Sequence, residues 1–518
     1  MNKFERVFWA VCLAAVAVFV VVGIERPVWL DEANSVLIAS HGLSGIVDSL
    51  RRENNLPAYY FLLHAWMRAF GDSEIALRLL SGLCYLGGGA AAFGLGKRVS
   101  GTLRGGWYSA FFYLSSPLSI RNAQNIRMYA LLGMLSGLSA LMFWKIFVER
   151  KKARLNWVGL VLVNGAGLLT HVWFIFVLAA QVAAVVAYRR DQLVRFVLGG
   201  VAAGIPAALL WGPSFWQQLH NGATDWMPRL QWQVVLTAAT EFYGLLPALA
   251  IVVGVVAVGR EIACPTRGML LTIAIACMAV PLLICTWKPI YWPGRYLMIA
   301  LSPIAVLIGT ALSRPVFAVL AVGLLAIDVT GQIAQRDQNP ETQVPPGQSD
   351  RATADFLMSH ARPGDAIVFT SLSRAPADYY FQRAGAAGKF VEISFPDEVA
   401  QHMGWADPTV TDTRRPRLEA EAAETAQRLT ASGHVWMYDG YAPAVSRILT
   451  DRLALPVLNV YALAGPYHRR IVEYGYSRQS AAFSASVIAL PGVSTAPEER
   501  QATIPSGRTK TAPAGVIP

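Results

Sequence analysis

Two carboxylates stand side by side in the stretch Trp29-Leu30-Asp31-Glu32-Ala33-Asn34-Ser35, just after the first apolar run of the chain. An aspartate, with an ordinary pKa of about 3.9, is ionised at neutral pH and can take a proton from a reacting hydroxyl. Charge at the edge of hydrocarbon is expensive and is kept where it serves a purpose. Arg127, His171, Arg295 and Tyr296 also fall at the ends of apolar runs. A guanidinium in such a place can hold a phosphate through paired N–H donors, or simply anchor a helix at the interface. What these groups can do together depends on the elements between them.

The chain has 518 residues, 54% of them hydrophobic and only 15% charged, with mean hydropathy +0.40. That balance is too apolar for an ordinary soluble enzyme and points to a membrane protein. Net charge is +11, from 44 basic and 33 acidic residues. In a polytopic protein such an excess gathers in cytoplasmic loops, so it gives no support to nucleic-acid binding. Cys12, Cys84, Cys264, Cys277 and Cys285 lie in apolar spans or one short loop. Their spacing fits neither a disulfide framework nor a zinc site, and they read as small core residues. The apolar run near the N-terminus shows no small-residue cleavage site before Glu25-Arg26-Pro27 and reads as an uncleaved first span.

Crossing about 30 Å of hydrocarbon takes roughly 20 apolar residues. The stretches that meet this are 7–24, 78–96, 106–122, 128–147, 155–170, 172–188, 194–212, 233–259, 268–286, 296–312 and 314–332, about eleven spans. With the N-terminus inside, lysine and arginine fall consistently in the inner loops: Lys97, Arg98 and Arg104; Lys145 to Arg154; Arg189, Arg190 and Arg195; Arg260 and Arg267; Arg314. This follows the positive-inside rule. The outer face then receives the loops 25–77, 122–127, 170–172, 213–232 and 287–295, and everything after residue 333. Asp31 and Glu32 thus face a compartment without ATP or nucleotide sugars, where an enzyme would draw activated groups from lipid-linked donors.

The long first outer loop, 25–77, carries the acidic pair and then a mixed stretch to Arg52, broken near Gly42–Gly45. This predicts one or two short helices on the membrane surface. A further helix follows Pro57, and Gly71-Asp72-Ser73 starts the next. The predicted division is a transmembrane domain over 1–333, a polar linker over 334–350, an extracytoplasmic α/β domain over 351–490, and a disordered tail rich in Ala, Thr, Ser and Pro over 491–518. Strands are expected at Ala366–Thr370, Lys389–Ser394 and His434–Tyr438, and helices near 350–361, 417–432 and 442–454, giving a partly parallel sheet. No glycine loop there cradles a phosphate, so that domain reads as a lid or an acceptor-binding module.

Three stretches carry a family resemblance: Trp29-Leu30-Asp31-Glu32; Asn54-Asn55-Leu56-Pro57-Ala58-Tyr59-Tyr60 on to His64-Ala65-Trp66; and Phe70-Gly71-Asp72-Ser73-Glu74 on to Arg78-Leu79-Leu80-Ser81. In order, and with Arg127-Met128-Tyr129, Leu169-Thr170-His171 and Gly294-Arg295-Tyr296, they resemble the protein O-mannosyltransferase superfamily over about residues 5–330. The closer likeness is to its bacterial branch, which modifies lipid A, other glycolipids and cell-surface glycans. The resemblance implies a GT-C fold, a place in the bacterial inner membrane, and transfer of a sugar from a polyprenyl-phosphate donor to a glycolipid, glycan or protein acceptor. It also implies Asp31 as the catalytic carboxylate, with Glu32 orienting it or a metal. Arg127 and Arg295 would stabilise the charge growing on the leaving phosphate, with Tyr296 and His171 adding hydrogen bonds. Asn55 and His64 are further candidate substrate contacts, and Trp226, beside Asp225 and Arg229, a surface for stacking a sugar.

Where relatives often carry a glutamate before the Arg-x-Tyr stretch, this chain has Asn125. The outer loops contain neither an Asp-x-Asp nor a His-x-x-x-His cluster, so no cofactor is expected, and a divalent metal is unsupported. Two other functions compete with transfer: a transporter or flippase for lipid-linked sugars, and a membrane scaffold without catalysis. The spans show no internal repeat, and the acidic pair lies at a surface and not at mid-membrane, which weighs against transport.

Overall fold

A computed structural model describes residues 24–52, 55–150, 154–220, 224, 227, 229–244, 265–311, 349–370, 373–398, 409–440, 442–463, 469–476 and 486–489. The expected span at 7–24 apart from Ile24, the part of the 233–259 run after Gly244, the span at 314–332, nearly all of the linker, Asp225, Trp226 and the C-terminal tail lie outside them.

The first outer loop folds into three helices, α1 (Leu30–Ser40), α2 (Leu43–Arg52) and α3 (Pro57–Phe70). Pro57 takes the first helical position, where its missing N–H costs nothing. Then come α4 (Glu74–Ser100), α5 (Leu103–Leu114), α6 (Pro117–Ala123), α7 (Tyr129–Phe143, extended by a π turn to Val148), α8 (Arg154–Leu168), α9 (Phe174–Tyr188), α10 (Leu193–His220), α11 (Trp232–Thr240), α12 (Pro265–Ile284) and α13 (Met298–Ala311).

Among the described residues four helical stretches are long and apolar enough to cross a membrane: Glu74–Ser100, Tyr129–Val148, Arg190–Trp216 and Arg267–Ile284. Phe174–Tyr188 and Met298–Ala311 are apolar but shorter. Two expected spans are broken. The run 106–122 divides at Ser115-Ser116, because Pro117 cannot continue the preceding helix and instead opens α6. The run that begins at 233 leaves helix after Thr240 and turns through Gly244, whose φ is 74°. Apolar side chains such as Leu79, Leu83, Leu86, Leu162 and Leu209 stay exposed, the pattern expected of helices solvated by lipid. Small residues let α4 and α5 approach closely: a Cβ on Gly88 would stand 2.2 Å from the Tyr113 hydroxyl.

The remainder forms a six-stranded sheet, order β2-β1-β3-β5-β4-β6, from β1 (Ala366–Thr370), β2 (Val391–Phe395), β3 (His434–Asp439), β4 (Val457–Ala462), β5 (Arg470–Gly475) and β6 (Ser486–Ala489). β2, β1 and β3 run parallel, and β5 pairs antiparallel with both β3 and β4. Alternate residues serve opposite faces, as the pleat requires. Ile367, Phe369, Trp436 and Tyr438 join the same core as α14 (Asp350–His360) and α15 (Arg374–Arg383). Val368, Val435 and Met437 pack with Leu418, Ala422 and Leu429 of α16 (Arg415–Ser432) and with α17 (Pro443–Thr450). The core on the α14 and α15 face is continuous with that of the membrane helices. Helix α15 and strands β4, β5 and β6 are additional to the elements expected from the sequence.

Candidate active site

Asp31 lies in the first turn of α1, with its side chain about one quarter exposed. Arg295, in the turn before α13, donates from Nη1 to Asp31 Oδ2 at 2.9 Å. Arg127, just ahead of α7, approaches the same oxygen at 4.0 Å. It also donates to the Asp31 carbonyl at 3.3 Å and to Ser35 Oγ at 3.1 Å. One carboxylate oxygen therefore faces two guanidinium groups, while among the described residues Oδ1 has no hydrogen-bond partner. Positive charge thus converges beside a single, partly exposed acid.

Aromatic rings back the arginines. The Arg295 guanidinium sits 5.1 Å from the Trp29 ring centroid and 5.9 Å from that of Tyr129. Tyr129, Tyr296 and His171 form a triangle of rings, with centroids 5.0 to 5.9 Å apart, and Trp173 packs on Tyr296 at 4.9 Å. His171 accepts a hydrogen bond at Nδ1 from the Trp173 amide, which leaves its proton on Nε2. Burial, with the positive charge of Arg127 second, pushes its pKa down to about 3, so the ring is neutral at physiological pH.

Glu32, next in sequence, does something different. It is fully buried and takes a two-pronged ion pair from Arg78, Nη2 to Oε2 at 2.6 Å and Nε to Oε1 at 3.2 Å. Burial opposes its charge, but Arg78, Arg26 and the Ile126 amide more than offset that and hold the carboxyl below its ordinary range. The Ile126 N–H reaches Glu32 Oε1 at 3.0 Å, and the Trp29 N–H reaches Oε2 at 3.4 Å. The Glu32 carboxylate is enclosed by these donors, whereas that of Asp31 is partly exposed. Glu32 fixes the backbone on both sides of the site.

Arg78 completes that frame. All five of its N–H donors are engaged, two on Glu32 and the others on the carbonyls of Ile24, Arg26 and Pro27 at 2.7, 2.5 and 3.2 Å. The turn bearing Arg127 is pinned by Arg26 on the Gln124 carbonyl at 2.9 Å and Ser81 on the Asn125 carbonyl at 2.6 Å. The turn bearing Arg295 is pinned at Gly294, whose N–H donates to Glu241 Oε1 at 2.6 Å and whose carbonyl accepts from Asn122 at 3.0 Å. Tyr291 donates to the same Glu241 oxygen.

The structure thus brings together Asp31, Arg127, Arg295, Tyr296 and His171. It does not bring His64 to them: that ring bonds the Ala39 carbonyl at 2.7 Å and ties α3 to the end of α1. Asn55 is half-buried ahead of α3, and Arg229 is exposed. Among the described residues no three His, Cys, Asp or Glu side chains gather as metal ligands would. Arg78, Ser35, Glu241 and Asn122 went unnoticed as parts of this site. Arg78 could have been found by the reasoning applied to Asp31, as a charged residue in the first turns of an apolar span.

No protein-family model matches the chain, and no curated protein matches it in sequence. Solved structures do match. ArnT from Cupriavidus metallidurans bound to undecaprenyl phosphate is 14% identical, with TM-score 0.62, over 93% of this chain and 100% of that one. The same protein in the apo state is 16% identical with TM-score 0.59, over 91% and 98%. The oligosaccharyltransferase AglB from Archaeoglobus fulgidus, in complex with an inhibitory peptide and a dolichol-phosphate, is 11% identical with TM-score 0.52, over 92% of this chain and 75% of that one. The chain has the GT-C fold of these membrane proteins, as its motifs led one to expect.

Proposed function

We propose that this protein is an integral-membrane glycosyltransferase that moves one sugar from a polyprenyl-phosphate donor to an extracytoplasmic acceptor, a glycolipid, glycan or protein. The observation that carries the reading is the meeting of Arg295 and Arg127 on one oxygen of Asp31, 2.9 and 4.0 Å away, at the end of the membrane helices. The names under which the matching structures are known, one bound to undecaprenyl phosphate and one to a dolichol-phosphate, agree with a lipid-phosphate donor.

The acceptor oxygen bonds to the anomeric carbon as the bond from that carbon to the phosphate oxygen breaks. The acceptor proton passes to Asp31, and the bonding pair leaves with the polyprenyl phosphate. A carboxylate in reach of the hydroxyl supplies general-base catalysis. The phosphate gains charge as it departs, and two preplaced guanidinium groups favour that state over the ground state. Attack opposite the leaving group inverts the anomeric centre. Tyr129, Tyr296 and His171 form the wall on which the arginines rest, and neutral His171 adds no third charge to them.

Purified protein given an undecaprenyl-phosphate sugar and candidate acceptors tests this. Asp31→Asn keeps the shape and removes the base, so turnover should fall by the roughly 100- to 10,000-fold that general-base catalysis supplies. Undiminished transfer in that variant would sink the assignment. Movement of lipid across the bilayer without transfer would favour a transporter instead.

A further inference from the structure

The extended run that leads into α1 is held from two sides. Its carbonyls, at Ile24, Arg26 and Pro27, go to Arg78 from within the membrane domain. Its buried amide, the Val28 N–H, goes the other way, to the hydroxyl of Tyr380 on α15 of the sheet domain at 2.8 Å. That hydroxyl in turn donates to Glu74 Oε1 at 2.6 Å, and Arg351 of α14 closes the set on Glu74 Oε2. The Arg351 guanidinium lies 5.9 Å from the Tyr380 ring centroid. Tyr380 and Glu74 are both buried. A hydroxyl that accepts from one buried group and donates to another orders both.

We propose that Tyr380, a residue of the sheet domain, is a positioning residue for Asp31, so that this domain forms part of the catalytic assembly in place of an independent lid. The proposal rests on the reading of Asp31 as the base. Val28 and Trp29 set where α1 begins, and the Trp29 ring lies 5.1 Å from the Arg295 guanidinium that bonds Asp31. With the Tyr380 hydroxyl gone, a buried N–H stands without a partner, and the run can recover it only by moving. Movement at Val28 shifts the first turn of α1, and with it the angle of Asp31 toward the acceptor. A misplacement of this kind costs turnover more than lipid affinity, because the backbone turns that carry the two arginines keep pins outside this run, Ser81 for the Arg127 turn and Glu241 with Asn122 for the Arg295 turn.

Neighbouring Tyr379 provides the control. Its hydroxyl donates to the Asp72 carbonyl at 2.9 Å and accepts from Arg383, so it docks the same helix without touching the run before α1. In full-length protein, Tyr380→Phe should speed hydrogen exchange of the backbone amides at 28–33 by about tenfold, the worth of one buried hydrogen bond. Turnover of an undecaprenyl-phosphate pentose or hexose should fall about tenfold, while affinity for undecaprenyl phosphate stays within about twofold. Tyr379→Phe should do neither. Unchanged exchange at 28–33 in Tyr380→Phe, or an equal rise in both variants, overturns the proposal, as does a loss of turnover matched by an equal loss of lipid affinity. If the wild type transfers no such sugar, the functional reading fails, and the exchange data alone still decide what Tyr380 holds.

Discussion

At the scale of single residues, Asp31 and Glu32 show how adjacent acids come to lie in opposite surroundings. Successive positions on a helix point about 100° apart, so when one carboxylate faces the open end of the site its neighbour turns into the protein. There Glu32 meets Arg78, and a charge buried that deeply is tolerable only because its partner is fully bonded. Arg78→Ala should leave Glu32 uncompensated and destabilise the protein by about 3–5 kcal/mol, read as a fall in unfolding midpoint in detergent. Arg78→Lys should recover only part, since one ammonium cannot serve Glu32 and three carbonyls from a single plane. The pH sign follows from the depressed pKa of Glu32. Its contribution is fully present above the ordinary carboxylate pKa and fades as pH falls through the folded value. The stability gap between wild type and Glu32→Gln should therefore narrow on acidification. Asp31 was legible in the sequence because its cost at a membrane edge is a local matter. The Glu32–Arg78 pair was not, because forty-six positions separate the partners and only the folded chain brings them together.

At the scale of elements, the site is a meeting of three chain turns: the start of α1, the turn before α7 and the turn before α13. The third depends on Gly294, whose φ of 80° lies in the left-handed region that side chains avoid. A Cβ there would also stand 2.6 Å from Arg121 Nη1. The arginine tip can move aside, but the backbone cannot relax without loosening its bonds to Glu241 and Asn122. Gly294→Ala should thus cost about 1–2 kcal/mol of local strain and displace Arg295. Under the proposed function this variant differs from Tyr380→Phe: affinity for undecaprenyl phosphate should drop about tenfold along with turnover, because a phosphate ligand has shifted. A titration with undecaprenyl phosphate that gave wild-type affinity would show that Arg295 does not hold the lipid phosphate. Periodicity and capping residues placed α3, α4 and the first strands well. They misjudged the runs from 106 and from 233, where continuous hydropathy hid Pro117 and the turn after Thr240. Helix α15 was missed because Arg374–Arg383 has no clean apolar stripe: it is buried on several sides, against the sheet and against the membrane domain.

At the scale of the whole molecule, the arrangement of charge gives the molecule two unlike poles. Helix α4 carries Arg78 at the candidate site and Lys97 and Arg98 at its far end, about 30 Å away along the helix. Arg98 bonds Glu149 at 2.7 Å, so the end of α7 remote from Arg127 lies at that same far end. Arg189, closing α9, bonds the Phe147 carbonyl and brings a third basic helix end there. Three helices thus gather Lys97, Arg98, Lys145, Arg189 and Arg190 at one pole and point their other ends toward Asp31, Arg127 and His171. By the positive-inside rule we propose the cytoplasmic side for the basic pole, with Asp31 and the docked sheet domain opposite. A reporter that is active only outside the cytoplasm, fused after residue 350, should therefore be active, and the same reporter fused after Arg190 should be silent. The two fusions bind each other logically, because Tyr380 in the sheet domain and Val28 beside Asp31 share a hydrogen bond and cannot face different compartments. Activity after Arg190 with silence after 350 would place Asp31 in the cytoplasm, where nucleotide sugars are present and the argument for a lipid-linked donor loses its premise.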